Sequence, residues 1–267
     1  MPEGKPPGEA RPRKQPRVRV TKDGPYRITG DVPLKEERIV SSQFGIGLRW
    51  EMGGEFPPRG SYSLCRCGHT KTPPYCDGTH AHTEWQSQET ALQTDYLSQA
   101  ETIEGPGLRL TDARILCAGA RFCERSGGTW NLTKRSEIPK FRDTAVEECH
   151  QCPSGRLVAW DKNSGQALEP DLQTSISVTS DPFTETDGPL WLKGGIPVEA
   201  ADGSAYEVRN RVTLCRCGHS RNKPFCDGRH VTARFRAGEE KTDLGSPAGP
   251  DRPSRNRARG VFALPYA

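Results

Sequence analysis

Two segments of this chain carry one ligand pattern at identical spacing. The first is Cys65-Arg-Cys67-Gly-His-Thr-Lys-Thr-Pro-Pro-Tyr-Cys76-Asp-Gly-Thr-His80. The second is Cys215-Arg-Cys217-Gly-His-Ser-Arg-Asn-Lys-Pro-Phe-Cys226-Asp-Gly-Arg-His230. Both read C-x-C-x8-C-x3-H. Three thiolates and one imidazole form a donor set for a transition metal, and its recurrence makes coincidence implausible. Each copy has to fold so that four donors from one short loop meet, and that limits the architecture more than any other feature.

Composition says why a metal is needed. Of 267 residues only 33% are hydrophobic and 7% aromatic, with 28 glycines and 23 prolines. Such a chain spends many residues in turns and builds thin cores, and small thin-cored units are commonly stapled by metals or disulfides. Ten cysteines are available. Disulfides require an oxidising compartment. The N-terminal region has no apolar run typical of a secretory signal, and nothing approaches the roughly 18 apolar residues of a membrane span. Reduced, metal-binding cysteines in a cytoplasmic protein are therefore expected. The net charge of +4 is modest. Basic residues concentrate in 5–19 and 252–259, which read as solvated tails rather than a nucleic-acid surface.

The repeat extends past the ligands. Asp23-Gly24-Pro25-Tyr26 through Leu34 lines up with Asp187-Gly188-Pro189-Leu190 through Val198, each block reading as a turn, a short strand, a glycine turn and a second short strand. A strand then enters each ligand loop, at 61–64 and 211–214, and an aromatic residue follows each histidine at one offset, Trp85 and Phe235. The expected organisation is a basic tail (1–20), a first module (21–86), a distinct middle segment (87–185), a second module (186–236) and a C-terminal tail (237–267). The fold class is α+β, with β-rich modules.

The spacing suits a binuclear site. Two thiolates in C-x-C can hold one iron from an extended stretch, and a Cys and His four apart, on the first turn of a helix, can hold the other iron of a [2Fe-2S] cluster. Zinc sites more often use C-x2-4-C knuckles. Asp77 and Asp227 stand where a helix N-cap is wanted. Gly78 and Gly228 leave room for backbone N–H groups to approach a sulfide. Such a cluster carries a charge of about −1 oxidised and about −2 reduced, which Arg66 and Arg216 could offset, with plain solvation as the alternative. His69 and His219 recur but read as neighbours of the site rather than ligands, and His82 as a surface residue.

These residues resemble the CDGSH iron-sulfur family, to which mitoNEET belongs, with the pattern C-x-C-x2-[ST]-x3-P-x-C-D-G-[STA]-H. The first copy fits throughout, with Thr70, Pro74 and Thr79. The second has Ser220 and Pro224, but Arg229 stands where a small residue is expected, which puts the second cluster's potential or lability in question. The resemblance covers under half of the chain. It implies two [2Fe-2S] clusters, ligated by Cys65, Cys67, Cys76 and His80 and by Cys215, Cys217, Cys226 and His230. Asp77, Gly78, Thr79, Asp227, Gly228 and Arg229 would lie beside them. It also implies that both modules pack within one chain as a pseudo-dimer, so a monomer is expected. A histidine ligand raises the potential relative to an all-cysteine site and competes with protons, so proton-coupled, acid-labile clusters are expected.

The middle segment holds the other four cysteines. Cys117-Ala-Gly-Ala120-Arg-Phe-Cys123 followed by Cys152-Pro153 resembles a divergent mono-cluster ferredoxin domain in which Ala120 replaces the central cysteine. Three ligands suit a [3Fe-4S] cluster, and Cys149 could complete a [4Fe-4S] site. A zinc site on Cys117, Cys123, Cys149 and Cys152, or free thiols, are the alternatives. A helix is expected over 112–125, capped by Thr111, with Ile115, Leu116 and Phe122 on one stripe. His150 is expected to face solvent. No triad, phosphate loop or nicotinamide fingerprint is present, so the chain reads as a non-enzymatic electron carrier that serves a redox partner. The alternatives are a cluster donor to an apo acceptor, a redox or pH sensor, and a structural zinc protein.

Overall fold

A computed structural model describes residues 15–239. The basic runs before residue 15 and the segment 240–267 lie outside the described residues. Among the described residues no helix is long and apolar enough to cross a membrane.

The structure is α+β, and its centre is a pair of sheets that mix strands from both copies of the repeat. The first sheet contains β1 (Arg17–Val20), β2 (Tyr26–Thr29) and β5 (Ser61–Leu64), with β12 (Val198–Glu199) on its edge, in the order β12-β1-β2-β5. The second contains β3 (Leu34–Ser41), β4 (Gly47–Glu55), β10 (Ser175–Asp181), β11 (Thr186–Lys193) and β13 (Arg211–Leu214), in the order β13-β11-β10-β3-β4. The strands that enter the two ligand loops have the limits expected from sequence.

The registers match between the copies. Tyr26 pairs with Leu64 and Thr29 with Ser61; at the equivalent positions Leu190 pairs with Leu214 and Lys193 with Arg211. The parallel pairings are exchanged. Val18 of the first half pairs with Val198 of the second, and Ile176 of the second pairs with Leu34 of the first. One apolar core lies between the sheets, with Val18, Tyr26 and Leu64 from the first half packed with Ile176, Leu190 and Leu214 from the second. Pairing strand edges and burying an apolar face with strands of the other half makes neither module complete alone.

Three stretches take other places than expected. Residues 17–20, assigned to the basic tail, form β1, because alternating Arg and Val puts Val18 and Val20 fully into the core while the arginines stay out. Residues 175–181, assigned to the middle segment, form β10 of the central sheets. Asp187 and Gly188, expected in a turn, lie within β11, where Gly188 packs against Thr179 with no room for a side chain. The extra residues of the first copy make the β3–β4 hairpin.

The middle segment forms a third sheet of β6 (Glu101–Glu104), β7 (Leu108–Asp112), β8 (Leu157–Asp161) and β9 (Ala167–Leu168), preceded by the short α1 (Tyr96–Gln99) and covered by α2 (Thr129–Lys134) and α3 (Pro139–Gln151). The expected helix over 112–125 is absent. Asp112 ends β7, Arg114–Leu116 is one 3-10 turn, and Phe122–Gly127 is a kinked 3-10 segment. Left-handed backbone at Gly119 (φ 70°) and Arg121 (φ 61°) interrupts any helix, and Thr111 is no cap but a strand residue whose hydroxyl accepts from Trp160 Nε1 at 2.9 Å.

The copies meet at their ligand loops. Gly68 has φ 83° and Gly218 φ 81°. A methyl on Gly68 would lie 2.5 Å from the carbonyl oxygen of Cys217, and one on Gly218 would lie 2.3 Å from that of Cys67. Gly68→Ala and Gly218→Ala therefore combine left-handed strain with a backbone clash. Each should cost well over about 2 kcal/mol in urea unfolding. Gly78→Ala has φ 90° but nothing within 4 Å, and should cost only the strain of about 1 kcal/mol.

Candidate metal centres

Each ligand loop is a hairpin built by the same hydrogen bonds. Cys65 N donates to Pro74 O at 2.9 Å and Cys76 N to Ser63 O at 3.0 Å; Cys215 N donates to Pro224 O at 2.8 Å and Cys226 N to Thr213 O at 2.9 Å. Thr70 Oγ1 and Ser220 Oγ brace the turn by donating to the carbonyls of Tyr75 (2.6 Å) and Phe225 (2.7 Å). The loop then enters a single helical turn, a 3-10 turn at Thr79–His82 in the first copy and α4 (Arg229–Thr232) in the second.

The donors come together in two pairs per loop. Cys65 Sγ lies 3.5 Å from Cys67 Sγ, and Cys76 Sγ lies 3.3 Å from His80 Nδ1. In the second copy Cys215 and Cys217 are 3.8 Å apart, and Cys226 Sγ is 3.5 Å from His230 Nδ1. A metal–sulfur bond of about 2.3 Å gives a tetrahedron whose edge is about 3.8 Å, shorter where nitrogen replaces sulfur. Each pair therefore has the spacing of one edge of a tetrahedral metal site. Among the described residues no group of three such side chains gathers around a single-ion position.

Backbone N–H groups point at the sulfurs. Gly68 N lies 3.4 Å from Cys65 Sγ, and His69 N, His219 N and Gly228 N lie at the same distance from Cys67, Cys217 and Cys226. The hydrogen bond from Cys67, with help from these N–H groups, pulls the Cys65 thiol down to about 6; the equivalent bond pulls Cys215 to about 7. Only one thiol of each loop is eased toward the anion: its hydrogen-bond partner, Cys67 or Cys217, is pushed up by that same bond, and burial pushes Cys76 and Cys226 up, so the remaining protons have to be displaced by a metal.

Other expected residues take clear roles. Arg66 and Arg216 are not solvated. Arg66 is 2% exposed and donates to the carbonyls of Gly24 (2.6 Å), Ser87 (2.7 Å) and Thr21 (2.9 Å), beneath Trp85 at 4.7 Å. Arg216 donates to Gly188 O (3.0 Å) and Thr179 O (3.1 Å), 5.4 Å from the ring of Phe235. Asp77 and Asp227 are loop braces. Asp77 accepts from Lys71 N (2.7 Å) and Thr79 N (3.0 Å), and Asp227 from Arg221 N (2.9 Å) and Arg229 N (3.2 Å); the N-cap positions belong to Gly78 and Gly228. Arg229 folds back to Asp227 at 3.0 Å. His69 is half-buried, and His219 and His82 are exposed.

The two sites differ in cover. Cys76 and His80 are half-buried, and Gly78 faces open space. Cys226 and His230 are buried, because the middle segment lies across them. A methyl on Gly228 would lie 3.0 Å from the carbonyl oxygen of Cys117, and one on Gly119 would lie 3.5 Å from Val231 Cγ2. Burial, reinforced by Arg216, pulls His230 down to about 4.

The middle cysteines gather on that same side. Cys149 ends α3, Cys152 follows it, and Cys117 and Cys123 come from the irregular loop. Burial pushes Cys123 up to about 12 and Cys149 higher still, with Cys152 adding to both. Deprotonating such thiols calls for a metal. Arg211, at the start of β13, is 1% exposed; it donates to the carbonyls of Cys152 and Cys149, each at 2.8 Å, and pairs with Glu169. The repeat has Ser61 at that place, so position alone did not reveal this contact. His150 is half-buried and its Nε2 lies 3.1 Å from Leu168 O, so it does not simply face solvent.

The family of iron-binding zinc fingers of CDGSH type matches residues 23–81 and 187–231, and the divergent 4Fe-4S mono-cluster family matches residues 103–162. The chain is a tandem CDGSH protein with a divergent mono-cluster segment between its motifs. No curated protein and no solved structure matches it. These matches make the tandem CDGSH chain an iron-sulfur protein.

The guanidinium of Arg66 sits between Cys65 and Cys67 in sequence yet donates to carbonyls of the β1–β2 turn, Thr21 and Gly24, and of Ser87. Arg66→Met should leave one buried and two half-buried acceptors without donors and lower stability by about 2 kcal/mol or more. Thermal unfolding of the metal-loaded protein, followed by circular dichroism, measures this.

Proposed function

We propose that the tandem CDGSH protein holds two [2Fe-2S] clusters, each on three cysteines and one histidine, and carries single electrons between a reductase and an acceptor protein. The observation that carries this reading is the pairing of donors, two tetrahedral edges per loop rather than four donors around one ion. A [2Fe-2S] cluster supplies a one-electron couple and no bond-making chemistry. The chain supplies the rest. N–H groups of residues 68, 69, 219 and 228 favour the reduced, more negative state. Arg66 and Arg216 fix the C-x-C stretch so that the ligands need not reorganise.

The difference in cover divides the labour. Cys76 and His80 are open to a docking partner, and the first site is the one through which electrons enter or leave. The second site, under the Cys117 loop, faces the middle cysteines, which we assign to a third, [3Fe-4S] or [4Fe-4S], cluster. Donation of the first cluster to an apo acceptor is a second reading, favoured by that same exposure. A catalytic role is not proposed.

Iron, acid-labile sulfide and zinc per chain, determined on anaerobically purified protein together with paramagnetic resonance spectra, test the assignment. About four irons and four sulfides mean two [2Fe-2S] clusters, and about seven or eight add the third. Zinc with no sulfide would overturn the reading. If the clusters differ in cover as described, visible absorbance at mildly acidic pH should decay in two phases, and His80→Cys should remove the fast phase while His230→Cys leaves it. Equal decay of both clusters in the unaltered protein would sink the division of labour. Transfer of absorbance to an apo ferredoxin, rather than retention through repeated reduction, would favour the donor reading.

A further inference from the structure

One buried position sets the two ligand loops apart in charge. Three residues before the third cysteine, the first copy has Pro73 and the second has Lys223. Lys223 is only 4% exposed. Its Nζ donates to Ser220 O at 2.7 Å. Its backbone is held by the segment that leads to the middle sheet: Thr90 N and Ala91 N donate to Lys223 O at 2.8 and 2.9 Å, and Lys223 N donates to Thr90 Oγ1 at 3.1 Å. Ser220 is also a residue whose backbone N–H helps to pull the Cys215 thiol down. The ammonium is thus fastened to the turn that wraps the Cys215–Cys217 pair.

The other cations around this loop have carboxylates of their own. Arg216 lies 3.5 Å from Asp187, Arg121 lies 2.7 Å from Asp181, and Arg229 lies 3.0 Å from Asp227. Among the described residues Lys223 forms no ion pair. Asp227, which also acts on it, is engaged by Arg229 Nε and by the backbone N–H groups of Arg221 and Arg229. Burial works against the charge of Lys223, and Cys215 and then Cys217 do most to favour it. A buried charge without an opposite charge is strongly unfavourable. The opposite charge at hand is that of the Cys215 and Cys217 thiolates and whatever they hold. At the same place in the first copy, Pro73 brings no charge at all.

We propose that the Lys223 ammonium is the built-in counter-charge for the electron taken up at the second CDGSH site, a positioning residue that raises the potential of that site without being a ligand. The assignment rests on the reading of both loops as [2Fe-2S] sites. Reduction there adds one electron from the reductase and makes no bond, taking the charge from about −1 to about −2. At the half-buried first site, water is close enough to answer the added charge. The second site lies under the Cys117 loop, and burial by itself opposes the more negative state. A fixed cation in the same low-dielectric surroundings offsets that penalty, and salt screens it little. Lys223 thus keeps a covered site reducible, and the strap at Thr90 and Ala91 holds it in place.

Iron and acid-labile sulfide in the full-length, anaerobically purified chain come first. Absence of sulfide sinks the [2Fe-2S] reading and the counter-charge together. With clusters present, redox titration followed by paramagnetic resonance gives a potential for each, and the second site is the one that His230→Cys moves and His80→Cys leaves. Lys223→Met should lower the potential of that site by at least about 59 mV, a tenfold change in a one-electron equilibrium constant, and leave the first site unmoved. Lys223→Gln keeps a donor for Ser220 O but no charge, and should lower the potential equally. Lys223→Arg should restore most of it. The shift should persist at about 1 M salt, where exposed charges are screened within about 3 Å. If Lys223→Met loads poorly, the contrast between the Gln and Arg variants carries the test alone. Loaded variants with an unmoved second potential, a parental value in Lys223→Gln, or equal shifts at both sites would overturn the counter-charge and leave the cluster reading standing.

Discussion

The contact on which the rest of the structure depends is the one between the two ligand loops, backbone against backbone at Gly68 and Gly218. Left-handed backbone at both glycines lets each loop turn away immediately after its C-x-C stretch and presents the carbonyls of Cys67 and Cys217 to the opposite copy. In an extended stretch alternate side chains point opposite ways. The two cysteines of each pair thus face one side, and the arginine between them faces the other. That arginine is where the ligand loop is tied to the sheets, through Gly24, Thr21 and Ser87 in the first copy and Gly188 and Thr179 in the second. The variable position of the C-x-C stretch carries the anchoring, and both cysteines are left out of it.

The same geometry explains the exchange of strands. A thin-cored module of three short strands buries too little apolar surface to stand alone. Lending β12 to the first sheet and taking β3 into the second gives both halves a shared core. Tyr26 makes the dependence explicit, since its hydroxyl lies 2.9 Å from Cys215 O and 3.0 Å from Pro224 O, in the ligand loop of the other copy. A disturbance of one ligand loop is felt by the other through groups that are already in contact.

Much of this was legible in the sequence, and the exceptions have physical causes. The repeat marked both ligand loops and the strands 61–64 and 211–214, because their pairing partners lie in the same copy and share one hydrogen-bond pattern. It did not mark β1 or β10 as members of the central sheets, because each pairs in parallel with a strand of the other half, β12 or β3, and local sequence carries no signal of such a partner, although each also forms a local hairpin with β2 or β11. The expected helix over 112–125 failed for another reason. Its apolar residues fit a helical stripe, but Ile115 is exposed and only Phe122 is fully buried, packed with Trp50 of the hairpin rather than along a helix face.

That docking is what makes two copies of one motif unequal. The arginines on the middle side have no counterpart of equal role in the first copy. Arg211 ties β13 to the carbonyls of Cys149 and Cys152, and Arg209 ties the next turn through Gly155. Arg156, held by Asp112 at 2.5 and 2.8 Å, keeps a positive charge beside Cys117. Three guanidinium groups around four cysteines offset the charge that metal-bound thiolates would bring; Arg211 is rooted in β13, the strand that leads to Cys215, and Arg209 stands just before it. The second CDGSH loop and the middle cysteines therefore share one rigid support, and the first loop stands outside it. With candidate ligands of identical type and spacing in both copies, the protein around them, and not the motif, has to set any difference between the two sites.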